Sequence, residues 1–239
     1  MKIVHVSDLH VTSPYYVPEW GERVVTELEK IEPEILLISG DLTDNGHPHE
    51  HDEAKRYVDR LTARKRVIVP GNHDARNLGY EIFEEIYGTR FPKLENDEVS
   101  IFGIDSTEPD IDSGHVGREN YDVIRDCLAR EDKLTIMMLH HHLIPIPGTG
   151  RERQIPVDAG DVLQLCQELD LDLVLSGHRH VPWVWKLEDT HFVTAGTTTS
   201  RRLKGRSHPS LNLFVLEDGK LELHEMDVSR GEYHRVQEC

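Results

Sequence analysis

The sequence predicts an α/β fold, on three observations. Short apolar runs recur along the chain: KIVHVS, EILLIS, KRVIVP, VSIFGI, LTIMML and LDLVLS. They lack clean polar alternation, as strands buried on both faces do. Segments with an apolar stripe at helical spacing lie between them. And five of these six runs end in Asp, His or Asn, several behind a glycine. In an open α/β sheet, ligands bind at the carboxyl ends of the strands, so this third observation bears on function as well as fold.

The elements follow in order. After KIVHVS, the segment EWGERVVTELEKIE puts Val24, Val25, Leu28 and Ile31 on one stripe and predicts a helix. After EILLIS, EHDEAKRYVDRLTA does the same with Ala54, Tyr57, Val58 and Leu61. KRVIVP and VSIFGI precede RENYDVIRDCLARE, with Tyr121, Ile124, Cys127 and Leu128. LTIMML precedes AGDVLQLCQEL, with Val162, Leu165, Cys166 and Leu169. Strands alternating with helices argue for βαβ units. LDLVLS closes that series. Beyond residue 180, VPWVWKLE, THFVTAG, SLNLFVLE and KLELHEMDV read as strands joined by short turns such as Glu217-Asp218-Gly219-Lys220, which predicts an antiparallel end. No repeat, low-complexity tract or linker interrupts the chain, so residues 1–239 read as one domain.

Composition bounds the function. The chain has 239 residues, 37% of them hydrophobic, enough for a sizeable core. Lys plus Arg is 27 against 44 Asp plus Glu, a net charge of −17. So acidic a surface repels a polyphosphate backbone unless a local positive site exists, which disfavours a nucleic-acid partner. Cys127, Cys166 and Cys239 are scattered and read as reduced, which fits a cytoplasmic protein. The N-terminus MKIVHVSDLH does not read as a signal peptide, and no apolar stretch approaches the ~20 residues that cross a bilayer, so no membrane partner is expected. Histidine is the oddity, at 16 copies.

The residues after the runs carry the chemistry. Asp8-Leu9-His10 follows the first run, Gly40-Asp41-Leu42-Thr43-Asp44 the second, and Gly71-Asn72-His73-Asp74 the third. His140-His141-His142 follows LTIMML, and Gly177-His178-Arg179-His180 follows LDLVLS. VSIFGI is the exception and ends in Asp105-Ser106. A sheet holds its strand ends rigid, so several such ends converge on one point. Imidazole nitrogen with carboxylate oxygen suits zinc, manganese and iron. The donors outnumber one tetrahedral ion. A carboxylate can bridge two, and two ions about 3.5–4 Å apart clamp the attacking and leaving oxygens of a displacement at phosphorus. Singly, each motif has an ordinary reading: a cap for Asp8, a turn for the Gly-Asp loop, a surface pair on one face of a strand for His178 and His180. Five together, each behind its own apolar run, are not turn chemistry.

In that order, over residues 8–180, the chain resembles the calcineurin-like metallophosphoesterases. Within that superfamily, MLHHH, SGHRH and the short chain are most similar to the small bacterial and archaeal cyclic-nucleotide and glycerophosphodiester phosphodiesterases. Those show two histidines and then a proline. Here His142 stands in the proline's place, with Pro145 and Pro147 close behind. The resemblance implies a four-layer α/β/β/α sandwich of the metallophosphoesterase type and two metal ions, of manganese, iron or zinc. Carried over residue by residue, Asp8, His10 and His180 hold one ion, Asn72, His140 and His178 the other, and Asp41 bridges them. His141 then faces the opposite side, and His142 lies in the mouth of the site. His73 stands beside the scissile phosphate as a proton donor, oriented by a carboxylate, Asp44 rather than Asp74.

Charge agrees with this. Two divalent ions and a hydroxide, set against Asp8 and Asp41, leave the site about one charge positive inside an acidic protein, because the ions dominate the local field. The implied mechanism is in-line attack on phosphorus by hydroxide on the metals, with His73 assisting the leaving alkoxide.

The remaining features are weaker. TTTSRRLKGRSHPS concentrates Arg201, Arg202, Lys204 and Arg206 and reads as a basic rim loop. Arg201 and Arg202 are its candidates for gripping a substrate phosphate or base. Arg179, between two ligands on a strand-like backbone, is predicted to point away from them. NGHPHEH sets His47, His49 and His51 at alternate positions, a solvated loop by default and a chelating lid as the alternative. Trp183 and Trp185 read as strand side chains, and GHVGRENYDVI resembles the family's turn leading into a helix, which would put His115 near the pocket. The function expected is a metal-dependent phosphodiesterase taking a small-molecule phosphoester, with diesters and cyclic nucleotides preferred to monoesters. A nuclease or broad phosphatase of the same superfamily is the alternative. A non-enzymatic scaffold is a third, though it would be expected to have lost ligands. A homodimer is left open.

Overall fold

The computed structural model describes residues 1–129, 132–149 and 154–238; Cys239 and the last two residues of RENYDVIRDCLARE lie outside the described residues. Two six-stranded mixed sheets form the centre. In the first, β1 (Lys2–Val6), β2 (Ile35–Ile38) and β3 (Lys65–Ile68) run parallel. On the other edge of β1, β10 (Ser210–Glu217), β11 (Lys220–Asp227) and β12 (Glu232–Glu238) add an antiparallel meander. The second sheet has the order β4 (Lys93–Glu95), β5 (Val99–Ile104), β6 (Leu134–Leu139), β7 (Leu173–Ser176), β9 (Thr190–Thr194), β8 (Trp183–Leu187).

The apolar runs are continuous because both faces of these strands are covered. In β2, Ile35 and Leu37 face the core between the sheets, and Leu36 and Ile38 face the outer helices. In β6, Ile136 and Met138 face inward, and Met137 and Leu139 outward. The outer face of the first sheet is covered by α1 (Pro18–Ile31), α2 (Pro48–Arg60) and α3 (Gly79–Tyr87). That of the second is covered by α4 (Tyr121–Leu128) and α5 (Ala159–Glu168). The result is the four-layer α/β/β/α sandwich. No helix among the described residues is long and apolar enough to cross a membrane.

Three details depart from the sequence expectation. β9 inserts between β7 and β8, so it pairs parallel with β7 and only β8 meets it antiparallel. The His47, His49 and His51 segment is not a loop. Pro48 opens α2, where a missing N–H costs nothing. The His47 N–H donates to Glu50 Oε2 at 3.1 Å, His49 is exposed, and His51 is buried with Nε2 3.3 Å from the Asp74 carbonyl. None of the three belongs to a cluster of metal-binding geometry among the described residues. Finally, α3 buries only Gly79 and Phe83, too sparse a stripe to be read from sequence. The expected turn at Asp218-Gly219 has both φ angles positive, 51° and 74°, as a tight hairpin requires.

Candidate metal centre

The five motifs sit at the carboxyl ends of β1, β2, β3, β6 and β7. Five of the seven candidate ligands hold a left-handed backbone: Asp8 (φ 52°), His10 (44°), Asp41 (54°), His178 (72°) and His180 (58°). Such residues are uncommon and persist where the surroundings over-determine them, typically at functional sites. Close approach of the loops explains the neighbouring glycines. A Cβ on Gly71 would collide with the Asp41 amide and carboxylate, and one on Gly177 with Ser7 and Asp8. Gly71→Ala is therefore expected to destabilise the fold by roughly 1–3 kcal/mol, as overpacking does, measured by urea denaturation. An unchanged midpoint would contradict this close approach.

Asp8, His10, Asp41 and His180, all buried, bring one ligand atom each to within 4.8 Å of the others. Asp8 Oδ2 accepts the His178 N–H at 3.0 Å, which aims Oδ1 inward, where it has no hydrogen-bond partner. Nδ1 of His10 faces the Thr43 carbonyl at 3.0 Å, and Nδ1 of His180 the Arg202 carbonyl at 2.6 Å. A carbonyl only accepts, so in each neutral ring Nδ1 carries the proton and Nε2 presents a lone pair. Those two Nε2 atoms are 3.2 Å apart, and His180 Nε2 is 3.1 Å from Asp8 Oδ1. Burial lowers the His10 pKa to about 3, so that ring is neutral.

A second group adjoins it. Asn72 Oδ1 lies 2.9 Å from His178 Nδ1 and 3.1 Å from His140 Nε2, and the two ring nitrogens are 3.3 Å apart. His140 Nδ1 faces the Ser39 carbonyl at 2.7 Å. Asp41 stands between the groups. Its Oδ1 accepts the His73 N–H at 2.9 Å, and its Oδ2 is 3.6 Å from His10 Nε2 and 3.4 Å from His140 Nε2. Burial would raise the Asp41 carboxyl, but the imidazoles of His140, His73 and His10 outweigh it and hold it well below the usual carboxylate range. Burial likewise lowers His140, but Asp41 and Asp8 prevail and raise it to about 9. That preference for positive charge is one a bound cation would answer. Nitrogen and oxygen donors gathered at 2.9–3.3 Å, with the ring protons of His10 and His180 turned outward to carbonyls, fit metal ions.

A cavity of about 350 Å³ opens over both groups, lined among others by Asp41, Asn72, His73, His180, Arg202 and Lys204. His73 Nδ1 is 2.6 Å from the backbone carbonyl of Asp44 and 4.0 Å from its carboxylate. The expected orienting group is thus the Asp44 main chain rather than its side chain. That carboxylate instead pairs with Arg202 Nη1 at 2.9 Å. Asp74 pins the loops together, accepting from the N–H groups of Leu42, Thr43 and Gly71 at 2.8–3.1 Å.

Other expectations are met or relocated. Arg202 lines the cavity, as expected of the basic loop, with its guanidinium paired to Asp44 and lying over the Tyr15 ring at 5.2 Å. Arg201 is exposed and is not among the cavity's lining residues. His142 is 3% exposed, stacked on His178 at 5.9 Å between ring centres, and does not line the cavity mouth. His178-Arg179-His180 is a turn rather than a strand, because two left-handed residues flank Arg179. Arg179 therefore lines the cavity and donates to Gln154 Oε1 and the Thr149 carbonyl. His115 lies in a separate cleft with Arg118 and Asp158. Arg76 and Asp112, which no motif marks, stand beside His73 and Asn72.

Comparison with known proteins identifies the family. The profile of the family described as calcineurin-like phosphoesterase matches residues 1–182. The chain belongs to that family. Among relatives of this phosphoesterase, a Synechococcus sp. protein named probable cyclic nucleotide phosphodiesterase is 27% identical over 202 residues, covering 77% of this chain and 75% of its own. A Xenorhabdus bovienii protein with the same description is 26% identical over 205 residues, covering 77% and 81%. The structure of a purple acid phosphatase from yellow lupin superposes with a TM-score of 0.74 at 16% identity, over 98% of this chain and 52% of that one. It attests the metallophosphoesterase fold alone.

Proposed function

We propose that this metallophosphoesterase is a dinuclear-metal phosphodiesterase of small molecules, with cyclic nucleotides foremost. The observation that carries the reading is the pair of nitrogen and oxygen donor sets that share Asp41 beneath one cavity. Asp8, His10 and His180 would hold one ion, Asn72, His140 and His178 the other, and Asp41 would serve both. Mixed nitrogen and oxygen donors suit manganese, iron or zinc. Such a pair supplies a water of lowered pKa as nucleophile and neutralises charge at phosphorus. With the Nδ1 proton of His73 donated to the Asp44 carbonyl, it is the cationic ring that carries a second proton, on Nε2, to give to the leaving oxygen. We read residues 1–239 as one cytoplasmic domain, and its net charge of −17 favours a small molecule over a nucleic acid.

The names of the relatives support a cyclic-nucleotide substrate. The preference for a diester rests on those names and not on a charge count. Arg202 and Arg76 each pair with a carboxylate, Asp44 at 2.9 Å and Asp112 at 2.7 Å, but Arg179 and Lys204 also line the cavity. The test compares kcat/KM for bis-p-nitrophenyl phosphate and p-nitrophenyl phosphate on Mn²⁺-loaded protein. Cyclic nucleotides, glycerophosphodiesters and single-stranded DNA complete the panel. The diester is expected to be the better substrate. A clear monoester preference overturns the diesterase reading, and cleavage of DNA above all small diesters favours a nuclease.

A further inference from the structure

We infer that Asp112 is a positioning residue for the second metal position, where it decides which end of the Asn72 amide faces the site. The inference rests on the dinuclear reading above. Asn72 is the one neutral oxygen donor among the proposed ligands. Its amide has two ends of nearly equal shape, one an acceptor and the other a double donor. Only the oxygen can ligate a cation. Nothing in Gly71-Asn72-His73-Asp74 itself chooses between them.

Asp112 makes the choice. Its Oδ1 lies 3.1 Å from Asn72 Nδ2. A carboxylate only accepts, so the end of the amide that meets it is the NH₂. The reverse orientation would set oxygen against carboxylate on one side and N–H against the ion on the other. With NH₂ committed, Asn72 Oδ1 turns to His140 Nε2 and His178 Nδ1.

Asp112 is placed in turn by two contacts. Arg76 Nη2 donates to the same Oδ1 at 2.7 Å. The Asp112 main-chain carbonyl faces His141 Nε2 at 3.2 Å. His141 Nδ1 lies 2.9 Å from Ser106 Oγ, which also accepts the His141 N–H at 3.2 Å. Every hydrogen in that chain is satisfied if the ring is neutral with its proton on Nε2. The middle histidine of the triplet therefore ties the β5–α4 loop to the end of β6. Arg76 Nη1 also stands 3.0 Å from His73 Nδ1, so one guanidinium borders both the metal side and the proton-donor side of the site.

The test uses the full chain, stripped by chelator and titrated with Mn²⁺ by calorimetry, with bound ions counted by elemental analysis. Wild type is expected to take two Mn²⁺ per chain. Asp112→Ala should weaken one of the two by about 10- to 100-fold, the usual loss when an outer partner of a ligand is removed, and leave the other unchanged. Asp112→Asn keeps an accepting oxygen but not the charge, and should restore most of the affinity. Unchanged binding of both ions in Asp112→Ala overturns the inference. So does Asp112→Asn as weak as Asp112→Ala, because charge rather than orientation would then be the cause. Wild type binding fewer than two ions is a different failure, that of the dinuclear reading.

Discussion

Asp41→Asn is expected to lose metal from both positions and nearly all turnover. Asp41 stands between the two donor groups, with Oδ2 at 3.6 Å from His10 Nε2 and 3.4 Å from His140 Nε2. Asparagine is isosteric but neutral, so it removes the charge that both ions share. It also brings an NH₂ that cannot ligate. Metal-assisted displacement owes several kcal/mol to the ions, so the loss should be roughly 10³-fold or more in kcat. His180→Ala touches only the first group and should leave one ion bound. Elemental analysis of the two variants beside kcat separates the cases. Asp41→Asn with two ions and unchanged activity would remove the bridging role.

His73→Ala should show the opposite split, with both ions retained and turnover slowed by roughly 10²- to 10⁴-fold, the range of general acid catalysis. His73 donates its main-chain N–H to Asp41 and is assigned to neither ion, although its ring gathers with His10 and Asp44. Its ring is a proton carrier steadied by the Asp44 carbonyl. The loss should shrink for a p-nitrophenyl leaving group, which departs without a proton. An equal loss on both kinds of substrate would assign His73 to charge stabilisation instead of proton transfer. Asp44→Ala keeps the main-chain carbonyl, so it should orient His73 as before while freeing Arg202.

The sandwich and the donor sets were legible because both obey local rules. A strand covered on both faces must be apolar throughout, and β2 and β6 are. Residues just past such strands share one end of a sheet, so Asp8, Asp41, Asn72, His140 and His178 could be grouped without coordinates. The triple histidine was legible only in part. That His140 would face the metals followed from the resemblance. That His141 would hold the Asp112 loop did not, because its partners Ser106 and Asp112 lie in a stretch without any motif.

By itself, then, the sequence determined the layers, the strand ends and the chemical identity of the donors, since each depends on residues a few positions apart. The tertiary structure decided what depends on distant segments meeting. It set the Arg202 guanidinium against Asp44, and it replaced the Asp44 carboxylate by its carbonyl as the partner of His73. It turned His178-Arg179-His180 from a strand into a left-handed turn. It also set Asp112 against Asn72, 40 residues away. Side-chain direction at such places is chosen by packing and by which acceptor happens to stand opposite, and neither is written in the local pattern of the chain.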